Sequence, residues 1–231
     1  MIAPRAKTVA AEPKEYVRIA CELALKSGRL VSGASVCDFE CRSPELLDHL
    51  SAHCEGALYS CFYNQAGVIP ARAAAGPVQV RRGSAYDPDL LDDASVDISF
   101  LVGALGVAEN FEPLLSNAIK WTKPGGRVYV FSSFNPYPVD CWVKSRVVGA
   151  LPGAREEVTW NIFSRTSVSA FLDAVLGAGR HRYIPFELAF DVPRHDVDPT
   201  RSWTFRDASG RRLFTNGLSQ LINRDFLEIA P

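Results

Sequence analysis

The sequence has no run approaching the roughly 20 apolar residues that span a bilayer, and its N-terminus lacks the long apolar core of a signal peptide. Neither a membrane-spanning helix nor secretion is expected, and the cytoplasm is the expected compartment. It also lacks an excess of charge of one sign. With 25 Lys+Arg against 26 Asp+Glu the formal net charge is -1, so no global field draws the chain to nucleic acid or to an anionic membrane. The mixture of arginines with Trp203 and Phe205 across residues 201–212 reads as a hairpin with alternating faces rather than as a nucleic-acid ribbon. There is no internal repeat, and residues 71–75 form the one alanine-rich tract. No Cys-x-x-Cys turn is present either. Cys37, Cys41, His49, His53 and Cys54 therefore lack the paired-knuckle spacing of a zinc site, and no metal is expected. The six cysteines, in a chain too large to need staples, are expected to be reduced and mostly buried.

What is present is the composition of one ordinary globular domain: 47% hydrophobic and 22% charged residues over 231 positions. Residues 1–13 read as a flexible leader. Residues 14–231 then form a single domain, with a core over 14–138 and a C-terminal helix and strand/hairpin region over 139–231. Tyr16, Val17, Ile19, Ala20, Leu23 and Ala24 recur at helical spacing before Gly28, which predicts an amphipathic helix over 15–27. Strands are predicted over 34–39, 57–63, 78–82, 96–101 and 127–132. Helices are predicted from Ser43 as N-cap, with Pro44 at the first helical position, to about His53, over 112–121, and from Ser164 to Leu176. An apolar run over 183–190, a hairpin over 202–215 turning at Asp207-Ala208-Ser209-Gly210, and a strand over 225–229 complete the pattern. Strands alternating with helices at this spacing predict an α/β layered sheet with parallel strands.

The strand ending in Asp38, the strand ending near Tyr63, Gly83-Ser84-Ala85, the run Val96-Asp97-Ile98-Ser99-Phe100 and the turn Lys123-Pro124-Gly125-Gly126-Arg127-Val128 follow one another in a familiar order. In this order and spacing, residues 16–138 resemble class I S-adenosylmethionine-dependent methyltransferases. The resemblance implies a Rossmann-like sheet with flanking helices and a C-terminal β-rich extension, and it implies S-adenosylmethionine as the cofactor.

It also implies where the cofactor would be held. After the first strand the family keeps glycines where the backbone approaches the methionine part; the matching positions here are Glu40, Arg42 and Pro44. At the end of the second strand an acid usually takes both ribose hydroxyls, and Phe62 stands there, with Asn64 two positions on offering one carbonyl. After the third strand an acid usually receives the adenine amino group; the matching triplet puts Ser84 there, followed by Ala85. Many small-molecule members carry a Glu-His pair near the acceptor, a region that holds Gly106-Val107 here. With each hydrogen bond to a charged group contributing roughly 1.5–3 kcal/mol, losing the ribose acid alone would weaken cofactor binding by about one to several powers of ten.

Three readings follow. The chain is a methyltransferase homologue with an eroded cofactor site, serving as a partner subunit or binding another ligand. Alternatively it is an active methyltransferase on a small metabolite or sugar, with Asn64 and Ser84 replacing the missing acids. The third reading is a repurposed fold using Glu40 or Asp38 for other chemistry. Glu40 has two structural alternatives, an ion pair with Arg42 or a solvated loop, and Asp38 has one, orienting the loop backbone. No catalytic residue is assigned. Asn135 and Tyr137, in the loop after the fifth strand, line an acceptor pocket on the first two readings or a Pro-rich exit loop on the structural one. The partners implied are a second copy of the chain, a methyltransferase or a pathway enzyme, and a small-molecule ligand. Residues 161–164, 185–187, 207–212 and 216–217 are similar to C-terminal regions of bacterial methyltransferases near polysaccharide or secondary-metabolite pathways.

Overall fold

The computed structural model describes residues 13–41, 43–63, 77–148, 157–196 and 198–231. In chain order the elements are α1 (Glu15–Lys26), β1 (Ser35–Phe39), α2 (Glu45–Ser51), β2 (Leu58–Tyr63), β3 (Val78–Arg82), β4 (Val96–Val102), α3 (Glu112–Trp121) and β5 (Thr122–Asn135). They continue with β6 (Lys144–Arg146), β7 (Glu157–Thr159), β8 (Phe163–Ser164), α4 (Arg165–Leu176), β9 (His181–Pro185), β10 (Trp203–Arg206), β11 (Arg212–Thr215) and β12 (Arg224–Ile229).

One sheet organises the chain. Its strand order is β3-β2-β1-β4-β5-β12-β9, with the short β8 pairing the end of β5. The strands from β3 through β5 are parallel, while β12 runs antiparallel to both β5 and β9. The chain winds outward from β1 to β3, then returns to β4 and winds the other way, so β1 and β4 flank a topological switch point. In open α/β sheets the crevice at the carboxyl ends of such strands is where ligands bind.

Pleat alternation sorts the strand side chains onto two layers. Val36, Tyr59, Ile98, Phe100 and Phe131 pack under α1 and α2, through Val17, Ala20, Ala24, Leu46, Leu47 and Leu50. Phe39, Phe62, Leu101, Val130 and Leu227 face the opposite way and pack under α3 and α4, through Leu114, Leu115, Ala118, Trp121, Val168 and Leu172. The result is a Rossmann-like sandwich with helices on both faces.

The Pro-Gly-Gly turn has a steric reason. A Cβ on Gly126 would lie 2.7 Å from the Asp97 carbonyl oxygen and 2.9 Å from that of Lys123, so no side chain fits there. The Asp97 carboxylate reinforces the corner by accepting from the Ser35 amide at 2.9 Å and from Lys123 Nζ at 2.8 Å.

Several expectations are corrected. The second helix begins at Glu45, with Pro44 in the capping position and Ser43 Oγ accepting from the Glu45 amide at 3.3 Å, and it ends at Ser51 rather than His53. The fifth strand is longer than predicted because residues before the glycine turn already pair, with a register break against β4. The apolar run over 183–190 is strand only to Pro185; the Phe186 amide still donates to the Arg224 carbonyl of β12 at 2.9 Å, and Leu188 is buried beyond the strand. The strands β9 and β12, expected in an appended region, complete the main sheet. Finally, the cysteines are not all reduced: Cys41 and Cys61 form a disulfide with Cα atoms 5.9 Å apart, while Cys21, Cys37, Cys54 and Cys141 are free. No helix among the described residues is long and apolar enough to cross a membrane.

Candidate functional site

Beside the switch point, the residues that follow β1 and β3 meet across the end of β2. Glu40, the first residue after β1, has φ 55, the left-handed conformation in which a Cβ costs energy and glycine does not. This is one of the positions expected to carry glycine, and its backbone keeps a glycine-like geometry under a glutamate. The side chain is put to use. Glu40 Oε1 accepts from the Ser84 hydroxyl at 3.0 Å and from the Ala85 backbone amide at 2.9 Å. Ser84 and Ala85 are the two positions that the resemblance matched to adenine recognition, and here this chain's own carboxylate engages the Ser84 hydroxyl and the Ala85 amide.

The opposite side of the Ala85 turn is fixed from below. Asn117, buried on α3, donates through Nδ2 to the Ala85 carbonyl at 2.8 Å. Ala85 therefore has both its backbone groups satisfied within the protein.

A covalent link stiffens the loop after β1. Cys41 is bonded to Cys61 of β2, and the Cys41 amide donates to the Phe62 carbonyl at 2.8 Å. Phe62 itself turns into the core, 2% exposed, with its ring stacked on Phe39 at 5.4 Å. It presents no polar group to a ribose. Arg42 and Asn64 lie outside the described residues, and so does any ion pair between Arg42 and Glu40.

Asp38 is buried on the α1–α2 face, and its Oδ1 has no hydrogen-bond partner among the described residues. Burial pushes its carboxyl well above the usual carboxylate range. The nearby phenol of Tyr16, raised first by its own burial, also senses the Asp38 charge. Asp38 thus does not orient the loop through any bond from Oδ1.

Tyr86, a residue that carries no sequence signal, is 41% exposed in the turn after β3. Its phenol is raised by partial burial and then by the charges of Glu40 and Glu109. The Glu109 carbonyl accepts from Trp142 Nε1 at 2.8 Å, tying the loop after β5 to the segment that precedes α3. Tyr86, Val107, Tyr137, Val139 and Trp142 are all large apolar side chains left exposed on loops at this edge of the sheet.

Asn135 is occupied structurally: Nδ2 donates to the Val139 carbonyl at 2.8 Å, and Oδ1 accepts from the Tyr137 amide at 3.1 Å. These bonds shape the Pro-rich loop and leave the Tyr137 ring 72% exposed. Where a Glu-His pair would stand, the Gly106 carbonyl accepts from the Asn161 amide at 2.7 Å and Val107 faces solvent. Asn161 is fully committed. Its Nδ2 donates to the Ala108 carbonyl at 2.7 Å and its Oδ1 accepts from the Val143 amide at 3.0 Å, tying the C-terminal region to the β4–α3 loop. A buried asparagine with this role carries no local sequence signal.

No protein-family model and no curated protein matches the sequence. Solved structures do resemble the fold. The YcgJ protein of Bacillus subtilis is 10% identical, with 91% of this chain and 97% of that chain covered at a TM-score of 0.57. A Haloferax volcanii methyltransferase in complex with the Trm112 activator is 18% identical, covering 94% of this chain and 95% of that chain at 0.56. The 1,6-didemethyltoxoflavin-N1-methyltransferase of Burkholderia thailandensis, solved with 1,6-didemethyltoxoflavin and S-adenosylhomocysteine, is 12% identical, covering 94% and 79% at 0.54. At such identities the likeness establishes the fold: this chain has the class I methyltransferase fold.

Proposed function

We propose that this chain is a methyltransferase-fold protein that does not hold S-adenosylmethionine in the usual way, and that it serves as a partner subunit or binds a different ligand at the switch-point crevice. The observation that carries this reading is the pair of hydrogen bonds from Ser84 and Ala85 to Glu40 Oε1. A cofactor would have to displace a carboxylate already satisfied by two donors, and would then meet that negative charge inside its own site. Phe62 at the ribose position adds no acceptor in return. The exposed apolar side chains at the crevice rim favour contact with another molecule over a closed catalytic pocket. That the Haloferax volcanii methyltransferase of this fold was solved with an activator protein supports the partner version.

A second reading, active methyl transfer to a small metabolite or sugar, is favoured by one observation: the fold extends over 94% of this chain in likeness to an enzyme solved with S-adenosylhomocysteine. Calorimetric titration with S-adenosylmethionine separates the two. Silence at millimolar ligand supports the eroded site, and micromolar binding supports the enzyme.

A further inference from the structure

Away from the crevice, α1 and α2 pack side by side, and their contact brings together three side chains that no function considered so far uses. Cys21 lies on the inward face of α1, His49 in the last turn of α2, and His53 in the turn that follows. One ligand-capable atom from each lies within 4.8 Å of the other two. From this convergence we propose that Cys21, His49 and His53 form a zinc site that clips α1 to α2.

The chemistry of the donor set fits. A thiolate and two imidazoles are the ligands that borderline-soft zinc prefers, and three protein ligands with the fourth position left to water is a familiar zinc arrangement. Tetrahedral bonds of about 2.0–2.3 Å bring ligand atoms to roughly 3.5 Å apart, so side-chain rotation of a fraction of an ångström to about an ångström closes the set. One histidine is already oriented. His53 Nδ1 is 2.8 Å from the His49 carbonyl oxygen, so Nδ1–H donates there and Nε2 keeps its lone pair for the metal. The two rings stand 4.7 Å apart at 60°, tilted rather than stacked flat.

Access is graded in a useful way. His53 is exposed, His49 is half-buried and Cys21 is 3% exposed, so an ion enters from the imidazole side and ends against the thiol. On binding, the Zn–S bond forms as the Cys21 S–H proton leaves to solvent, while the imidazoles bind neutral. The site was not visible as spacing because its sulfur comes from α1, nearly thirty residues before the histidines. The thiols nearer in sequence, Cys37, Cys41 and Cys54, are not in the cluster.

The test uses the untagged full chain, stripped with a chelator and titrated with zinc against a competing indicator, and separately with cobalt(II) as a spectroscopic probe. The proposal expects one equivalent of zinc bound tightly, a four-coordinate cobalt spectrum and a thiolate-to-cobalt charge-transfer band. Cys21→Ser is expected to abolish that band. Because Cys21 is buried and its replacement can disturb packing, His53→Gln at the exposed position carries the decision. It is expected to fold like the parent by circular dichroism and to lose zinc affinity by roughly a hundredfold, at least what losing a supporting group to a metal ligand costs. Cys141→Ser, a free thiol in the loop after β5, is the control expected to bind as the parent does. Failure of the parent to bind one equivalent at micromolar protein, or equal affinity in the parent and in His53→Gln, overturns the site.

Discussion

Glu40 Oε1 lies 2.9 Å from the Ala85 amide nitrogen, joining the end of β1 to the turn after β3 through one side chain. A residue at one of the positions expected to carry glycine therefore also engages the Ser84 hydroxyl and the Ala85 amide. A left-handed glutamate is unfavourable on its own; the two hydrogen bonds it gains explain why the conformation persists.

Substitutions at Glu40 separate these opposing effects. Glu40→Ala loses both hydrogen bonds and keeps the unfavourable φ, whereas Glu40→Gly loses the bonds but relieves the backbone. Urea unfolding should find both variants less stable than the parent, with Glu40→Gly more stable than Glu40→Ala by roughly 1 kcal/mol. Equal stability of the two variants would mean that the left-handed backbone costs nothing here.

Asp38 gives the protein a pH dependence of unusual sign. Its folded-state carboxyl is raised by burial, so above the ordinary aspartate range the unfolded chain gives up this proton while the folded chain keeps it. The contribution of Asp38 to stability is complete below the unfolded value, near 3.8, and is lost as pH rises toward the folded value. Asp38→Asn removes that loss. The stability of Asp38→Asn relative to the parent should rise with pH above about 4, by up to about 1.4 kcal/mol per unit until the folded carboxyl ionises. A stability difference that stays flat between pH 4 and 7 would contradict this account of Asp38.

The Cys41–Cys61 disulfide predicts a thiol count. Denatured without reductant, the chain should expose four reactive thiols, and after reduction six. Closing a loop of 20 residues is worth about 3 kcal/mol through the unfolded chain, so reduction should lower the urea midpoint by a matching amount. Six reactive thiols before reduction would remove the link and with it the constraint on the loop after β1.

The parts of the fold that could be read from sequence are those where burial follows a period. Residues 78–82 and 112–121 were placed to the residue, because β3 is bounded by turns and α3 carries Leu114, Leu115, Ala118 and Trp121 on one face. The Ser164 cap was legible too, since its hydroxyl accepts from the Ser167 amide at 3.0 Å, as the residue type predicts. The short β6, β7 and β8 have no period to detect. Leu188, buried beyond the end of β9, shows that apolar character reports burial but not ladder pairing. The sequence singles out Glu40, Ser84 and Ala85 but not the bonds among them, because the pairing spans 44 and 45 residues. The disulfide and the cluster of Cys21 with His49 and His53 were hidden for the same reason: each joins separate elements that meet only through packing.

The proposed function has Glu40 hold the Ser84 hydroxyl and the Ala85 amide against a cofactor. It is tested most directly by following the Ala85 backbone amide in the nitrogen–proton NMR spectrum while S-adenosylhomocysteine is added. The account predicts that this resonance stays in place up to millimolar ligand in the parent protein. A saturating shift of the Ala85 amide at micromolar ligand would contradict it, and would show the cofactor displacing Glu40.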